Sequence, residues 1–409
     1  MQNKITKIIA EEIKDSRGNP TIKVTVWSGA SSGGFSVPSG ASTGSHEAHE
    51  LRDPDSAGVK NAIEKVNNII AKALIGQDIL NQKGIDKIMI ALDGTPNKDN
   101  LGGNSMIGVS IACAKTAAKV NNQETYQYLQ TLAEIKPSRK APYLFMNLIE
   151  GGKHTDNNLA FQEYHIVPQI ENIKEAIDIG IKIQNTLKEI IIKELGKESA
   201  ILGDEGGFAP KITDIKKPFE YLTEAIEKNN LQGKVRLALD VAASSFYDNG
   251  FYRISGENIS KEELKNIYNS LISEFNLFSI EDPFKEEDFE SFTRLGFASF
   301  GEVKKILVVG DDLTVTNKML LQKAIDKKSI NAIIIKPNQI GTLSETLETM
   351  KLARENDLEL IVSHRSGETD DDFIADLAYA FGCFGLKSGS PRKPERMVKY
   401  NRLMKIINL

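Results

Sequence analysis

Three acids stand at the ends of successive short apolar runs: Leu237-Ala238-Leu239 ends in Asp240, Leu277-Phe278-Ser279-Ile280 in Glu281, and the run from Ile306 to Gly310 in Asp311. A fourth run, Ala332 to Ile335, ends in Lys336, and a fifth, Leu360-Ile361-Val362, leads into Ser363-His364-Arg365. Carboxylates brought close together repel unless a cation lies among them. An all-oxygen set without His or Cys favours a hard ion such as Mg²⁺. A lysine held rigidly beside such an ion has its ammonium disfavoured and can serve as a general base. Alone, each acid is equally a helix cap, and Lys336 alone is a lysine snorkelling to the surface; only the series points to chemistry.

Other stretches supply what such a site would lack. Gly203-Asp204-Glu205-Gly206-Gly207-Phe208 sets two acids among glycines that let the backbone turn sharply or approach a ligand, leaving Glu205 available as an acid, although a plain turn fits the same residues. The stretch Val37 to His46 is rich in glycine and hydroxyls, either a surface loop or a lid, and lacks the Gly-Lys-Ser/Thr ending of a phosphate-binding P-loop. Arg365 and Ser366 suit an anionic group such as phosphate, against the default of a structural salt bridge. His154, in Gly151-Gly152-Lys153-His154, is ambiguous by itself. Together the pieces describe metal-assisted β-elimination on an anionic acid, the metal stabilising negative charge as it develops beside a carboxylate.

Such residues must be carried by elements that bring them to one place. The five runs recur at intervals of roughly 25 to 40 residues, the length of a strand, a helix and a return loop. Reacting groups at strand C-termini and Ile/Leu/Val-rich strands fit a parallel β/α barrel. An open doubly wound sheet is the alternative, but no GxGxxG follows an early strand. Before the barrel, Ile22, Val24 and Val26 alternate with Lys23, Thr25 and Trp27 after a turn at Ser16 to Pro20, predicting two or three antiparallel strands. Ile63, Val66, Ile70, Ala73 and Leu74 then recur at helical spacing, and Met106 to Ala118 is small and apolar nearly all round. A polar break with two prolines spans Ile135 to Pro142, so the expected domains are residues 1–136, α+β, and 137–409, the barrel.

The chain has 409 residues, 51 Lys+Arg against 56 Asp+Glu and a formal net charge of −5, an average balance that argues against disorder and against a nucleic-acid binder. No apolar run approaches the ~18 residues of a membrane span, and neither a signal peptide nor an anchor is expected. Two cysteines, Cys113 and Cys383, make no disulfide framework, which suits the cytoplasm.

These motifs also carry a family resemblance. Asp15 to Thr21, Ser39 to Gly44, Gln162-Glu163, Gly203 to Pro210, Leu239-Asp240, Ser279 to Phe284, Gly310 to Leu313, Lys336 to Thr342 and Ser363 to Thr369 resemble, in order and over essentially the whole chain, the enolases. The resemblance implies an N-terminal α+β domain and a C-terminal eight-fold barrel with an atypical opening pair of strands and helices. It implies reversible dehydration of 2-phospho-D-glycerate to phosphoenolpyruvate, with Lys336 removing the C2 proton and Glu205 protonating the departing C3 hydroxyl. Asp240, Glu281 and Asp311 match the positions of a first Mg²⁺; a second would arrive with substrate, bridged by phosphate and Ser39 of a lid. Arg365 and Ser366 would hold the phosphate, Lys387 and Gln162 would contact substrate, and His154, Glu163 and His364 would line the pocket. Lys387 is further expected to lower the pKa of Lys336. A homodimer, or an octamer of dimers, is the usual assembly. Departures are few: Ser245 where the family usually has Glu, and Tyr164-His165 where Phe-Met is usual. Two rivals remain, an acid-sugar dehydratase of the same superfamily and an additional scaffold role.

Overall fold

The protein, analysed as a computed structural model, is described over residues 3–40, 44–54, 58–298 and 306–408. Alternation builds its first element. Strands β1 (Lys7–Lys14), β2 (Pro20–Ser28) and β3 (Ser31–Ser36) form an antiparallel sheet. Asp15 closes the β1–β2 turn by accepting the amides of Arg17 and Asn19 at 2.9 and 2.8 Å, with Gly18 at a φ of 83° that favours glycine. Ile22, Val24 and Val26 are fully buried against the helix Gly103–Val120, while Lys23, Thr25 and Trp27 stay partly exposed. That helix approaches closely because of Gly108, where a Cβ would stand 2.7 Å from Val24 Cγ2. Residues 60–74 form a second helical run, with wider turns over Lys65–Ile70, that buries Val66, Ile70 and Leu74.

After an irregular connection the chain enters a closed eight-stranded barrel. Its strands are β4 (Tyr143–Glu150), β5 (Glu163–Pro168) and β6 (Val235–Asp240). A small peripheral sheet of β7 (Tyr247–Asp248), β8 (Phe251–Ile254) and β9 (Glu257–Ile259) intervenes. The barrel resumes with β10 (Ser279–Glu281), β11 (Leu307–Gly310), β12 (Ala332–Ile335), β13 (Glu359–Ser363) and β14 (Gly385–Lys387), which pairs back onto β4. The five apolar runs of the sequence coincide with β6 and β10 to β13. One expectation needs correcting at the level of pattern: β5 is antiparallel to both β4 and β6, so the barrel is mixed and not wholly parallel. The link from β4 to β5 holds only a short 3₁₀ turn at Gly152–His154, whereas a parallel return normally needs a crossover helix. The resemblance implied an atypical opening pair of strands without giving their direction.

Reversing β5 has a consequence for function. Its first residue, Glu163, now lies at the same end of the barrel as the last residues of the parallel strands. Glu150 pairs with Glu163, Glu163 with Asp240, and Asp240 with Glu281, a row of acids in register across four neighbouring strands. Beneath them Phe145, Val167, Ala238, Val309, Ala332, Ile334 and Ile361 pack as a separate apolar core that plugs the barrel.

The N-terminal segment is fastened over this mouth. Ser39 and Gly367 exchange backbone hydrogen bonds at 2.8 and 2.9 Å, and Ser16 N–H donates to the Glu368 carbonyl at 2.7 Å. Among the described residues no helix is long and apolar enough to cross a membrane, and Cys113 and Cys383 are buried free thiols.

Candidate active site

One cavity opens at the barrel mouth, and apart from Ala242 every side chain lining it is polar or charged: Glu47, His154, Gln162, Glu163, Glu205, Asp240, Asp282, Asp311, Asp312, Lys336, Ser363, His364, Arg365, Ser366 and Lys387. The strand ends explain the convergence. Asp240 and Lys387 are the last residues of their strands, and Asp311, Lys336 and His364 each follow one directly. Glu205 arrives on the loop after Gly203, and Glu47 from the N-terminal segment.

Lys387 organises the acidic row. Its ammonium lies 2.7 Å from Asp240, 2.9 Å from Glu281 and 3.3 Å from Glu163. Burial works against that ammonium, but these three carboxylates outweigh it and hold its pKa well above the ordinary lysine range. In return, Lys387 overcomes burial at Asp240 and holds that carboxyl down to about 2. Glu281 and Glu163 go the other way: burial, and next to it the charge of Asp240 on one and of Glu205 on the other, raise them well above the carboxylate range. Beside them, Asp282 accepts the amides of Asp311 and Asp312 at 3.0 and 2.7 Å and so fixes the chain after β11. Burial and the charge of Asp311 push Asp312 up to about 8. Ligand oxygens of Asp282, Asp311 and Asp312 lie within 4.8 Å of one another. Seven carboxylates thus line one cavity with three strongly basic side chains, an excess of buried oxygen donors that fits a hard divalent cation. Asp240, Glu281 and Asp311 do not meet at a point in this arrangement, because Lys387 lies between the first two and Lys336 contacts Asp311.

Lys336 is set with care. Its amide donates to Thr316 Oγ1 at 2.9 Å, that hydroxyl donates to Gln339 Oε1 at 2.8 Å, and Gln339 donates to Asp311 at 2.9 Å. Thr316 and its neighbour Val315 hold φ angles of 54° and 41°, and Ala242 and Asp282, also next to the acids, hold 47° and 41°. Each such angle is strained for a side-chain-bearing residue, and strain of this kind collects at working sites. The expected downward shift of Lys336 is corrected: burial, Arg365 and Lys387 do push its pKa down, but the Asp311 carboxylate against its ammonium leaves it raised.

On the far side, Glu205 is buried with Asn147 donating to it at 3.1 Å, and His364 Nε2 stands 3.2 Å away. Arg396 contacts His364 Nδ1 at 2.5 Å, so that nitrogen is the acceptor and Nε2, facing Glu205, carries the proton. As cations, His364 and His154 would pull Glu205 well below the carboxylate range. Burial, however, holds His154 below its ordinary value and His364 down to about 4, so near pH 7 both are neutral. His154 Nδ1 and Gln162 Oε1, both lining the cavity, are buried without a hydrogen-bond partner among the described residues. Groups left this way inside a cleft await a ligand.

Arg365 is held by Glu47 at 2.8 Å, and its Nη1 reaches Asn338 at 3.4 Å. Of the residues singled out from sequence, twelve gather at the mouth, Glu281 touching Lys387 from just outside the cavity lining. Ser39 does not join them: its hydroxyl donates to Asp15 at 2.7 Å and its backbone is locked to Gly367. Ala41, Ser42 and Thr43 of the same stretch lie outside the described residues. Glu47, Asp282, Asp312 and Arg396 escaped the sequence reading. Asp282 and Asp312 are second members of acid doublets whose first members were chosen, a signal that was available; Glu47 and Arg396 gave none.

Fold and site together define a class: a β/α-barrel protein whose mouth gathers many carboxylates, two lysines and a buried arginine, a lining that suits a hard cation and an anionic ligand. Residues 139–408 match the family model described as enolase, C-terminal TIM barrel domain, and residues 5–129 that of the enolase N-terminal domain. An enolase from Methanocaldococcus jannaschii is 45% identical over 98% of this chain and 94% of its own length. One from Methanopyrus kandleri is 45% identical over 98% and 95%, and Enolase B of Dictyostelium discoideum 44% over 98% and 94%. The chain belongs to the enolase family and has its activity, that of a phosphopyruvate hydratase, a lyase of glycolysis. Mg²⁺ dependence follows from the family, and the buried acidic clusters accord with it.

Proposed function

We propose that this activity, the reversible loss of water from 2-phospho-D-glycerate to give phosphoenolpyruvate, is divided between Lys336 and Glu205 on opposite sides of the mouth. The observation that carries the division is the contrast in their anchors: Lys336 is tied to the Asp311 side, Glu205 to His364 and Asn147. Lys336 as the free amine takes the C2 proton, and the electron pair of the broken C–H bond moves toward the substrate carboxylate. The C3–O bond then breaks, and Glu205 gives its proton to the leaving hydroxyl, which departs as water. Asp240, Glu281 and Asp311 would hold Mg²⁺, and a second Mg²⁺ would enter with substrate. Bound there, divalent ions stabilise the charge that builds on the substrate carboxylate. With Asp311 engaged by a cation, Lys336 would be released from that carboxylate and available as the free amine.

Arg365 exchanges Glu47 for the substrate phosphate, with Ser366 beside it; Lys387, Gln162, His154, Glu163 and His364 complete the pocket. The assembly is a homodimer or an octamer of dimers, and the setting cytoplasmic. Incubating the protein with 2-phosphoglycerate and Mg²⁺ should give growing ultraviolet absorbance from the enol double bond, stopped by a chelator. No growth with folded protein and saturating Mg²⁺ would refute the substrate.

A further inference from the structure

Glu150 ends β4 with its side chain fully buried, directly behind the loop that carries Glu205. One carboxylate oxygen accepts the amide of Gly207 at 2.6 Å and of Glu205 at 3.1 Å; the other accepts Glu205 again at 3.2 Å. The carbonyls of the same loop are gripped from elsewhere. Ser390 N–H donates to Glu205 O at 3.0 Å, Gln184 donates to Gly206 O at 2.8 Å, and Arg396 donates to Asp204 O at 3.2 Å. The loop is therefore clamped between two sets of partners, and Glu150 supplies the side that holds the amides.

The glycines of the loop make room for this carboxylate. A Cβ on Gly207 would stand 3.1 Å from Glu150 Oε1 and 2.9 Å from the Leu148 carbonyl carbon, and one on Gly203 2.7 Å from Glu150 Cδ. Close approach to Glu150 is thus what the glycine pattern permits. Burying a second carboxyl group beside Glu205 is unfavourable, and the hydrogen bonds from the Glu205 and Gly207 amides are what it obtains in return.

We propose that Glu150 is a positioning residue for the dehydration step: by holding the Glu205 and Gly207 amides it fixes the backbone of Glu205, and hence the point from which its carboxyl reaches the leaving hydroxyl. The inference rests on Glu205 as the acid. Lys336 hangs from β12 and the Thr316–Gln339 chain, so proton removal at C2 does not pass through this clamp.

The test separates the two half-reactions, deuterium exchange at C2 of 2-phosphoglycerate in heavy water and formation of phosphoenolpyruvate. Glu150→Gln keeps the volume but places an NH₂ donor where a carboxyl oxygen faces an amide; Glu150→Asp keeps the carboxyl group and withdraws it by one methylene. In whichever variant retains a wild-type thermal melt, dehydration should fall by roughly 100-fold, with C2 exchange and KM near wild type. Dehydration within twofold of wild type, or exchange and dehydration lost in equal proportion, would overturn the proposal. Glu205→Gln run alongside should lose dehydration and keep exchange. If it loses both equally, Glu205 is not the acid, and the Glu150 assignment falls with it.

Discussion

Of the places where this molecule buries carboxylates, two are built on opposite plans. Asp86 lies at the joint between the N-terminal segment and the barrel helix Leu343–Glu355, fully out of water. Gln82 donates to both of its oxygens, the Ser110 and Ser344 hydroxyls donate at 2.6 Å each, and the Ser344 amide at 2.9 Å. Burial pushes its pKa up and these bonds pull it back. At the barrel mouth acids face acids, Glu281 and Asp312 among them, and few neutral donors are offered. A buried acid surrounded by neutral donors is a joint; buried acids crowded together with lysines are held ready for a cation and a substrate. Position relative to water does not distinguish them, whereas the chemistry of the partners does.

The comparison can be broken most severely at Lys336. Lys336→Ala should lower turnover by roughly 10⁴-fold and abolish C2 exchange while leaving the melt intact and Mg²⁺ binding measurable by calorimetry. Exchange at the wild-type rate would remove Lys336 from the base role. Asp86→Ala should do the reverse, lowering stability by about 3 kcal/mol because several buried donors lose their acceptor, with kcat of the folded protein within twofold. A collapse of kcat without loss of stability would place Asp86 in the working machinery. Mg²⁺ sharpens the contrast next. Addition to 100 times its dissociation constant should stabilise the fold by about 2.7 kcal/mol, and the gain should vanish in Asp240→Asn but persist in a mildly destabilised joint variant such as Ser110→Ala. Equal gains in both would mean that Mg²⁺ binds elsewhere.

The smallest effect is expected at an intermediate case, Glu368. It is buried but ion-paired, 2.7 Å from Lys399, and although burial opposes it, Lys399 and Arg396 hold its pKa below the ordinary value. A depressed carboxyl stabilises the fold above the unfolded pKa of about 4.3 and loses that contribution as pH falls through the folded value. Glu368→Gln should therefore flatten the acid limb of a stability–pH curve below about pH 5 while leaving its slope between pH 6 and 8 unchanged. An unaltered acid limb would show that Glu368 is not a contributor.

Much of this arrangement is legible in the residues. The alternation of Ile22, Val24 and Val26 announced a half-buried sheet, and short apolar runs ending in Asp240, Glu281, Asp311 and Lys336 announced barrel strands with polar groups at their ends, because a strand buried on both faces must be apolar until it reaches the mouth. β14 gave no such signal: Gly385-Leu386-Lys387 is too short to show a period, and Lys387 was placed only through resemblance. The partner of Ser39 was not legible for a related reason. A hydroxyl in a glycine-rich stretch has no preferred partner in sequence, and Asp15, 24 residues earlier, claims it in space.

The sequence by itself determined the kinds of group available, their order along the chain and the family, since runs, turns and motifs are local and survive without coordinates. Only the tertiary structure decided that β5 runs backwards, bringing Glu163 into the acidic row. It alone brought Glu47 to Arg365 across 318 residues of chain and seated Glu150 behind Glu205, 55 residues away. These are choices of partner between distant segments, made by strand register and by the need of buried charges for hydrogen bonds, and nothing in a local pattern encodes them.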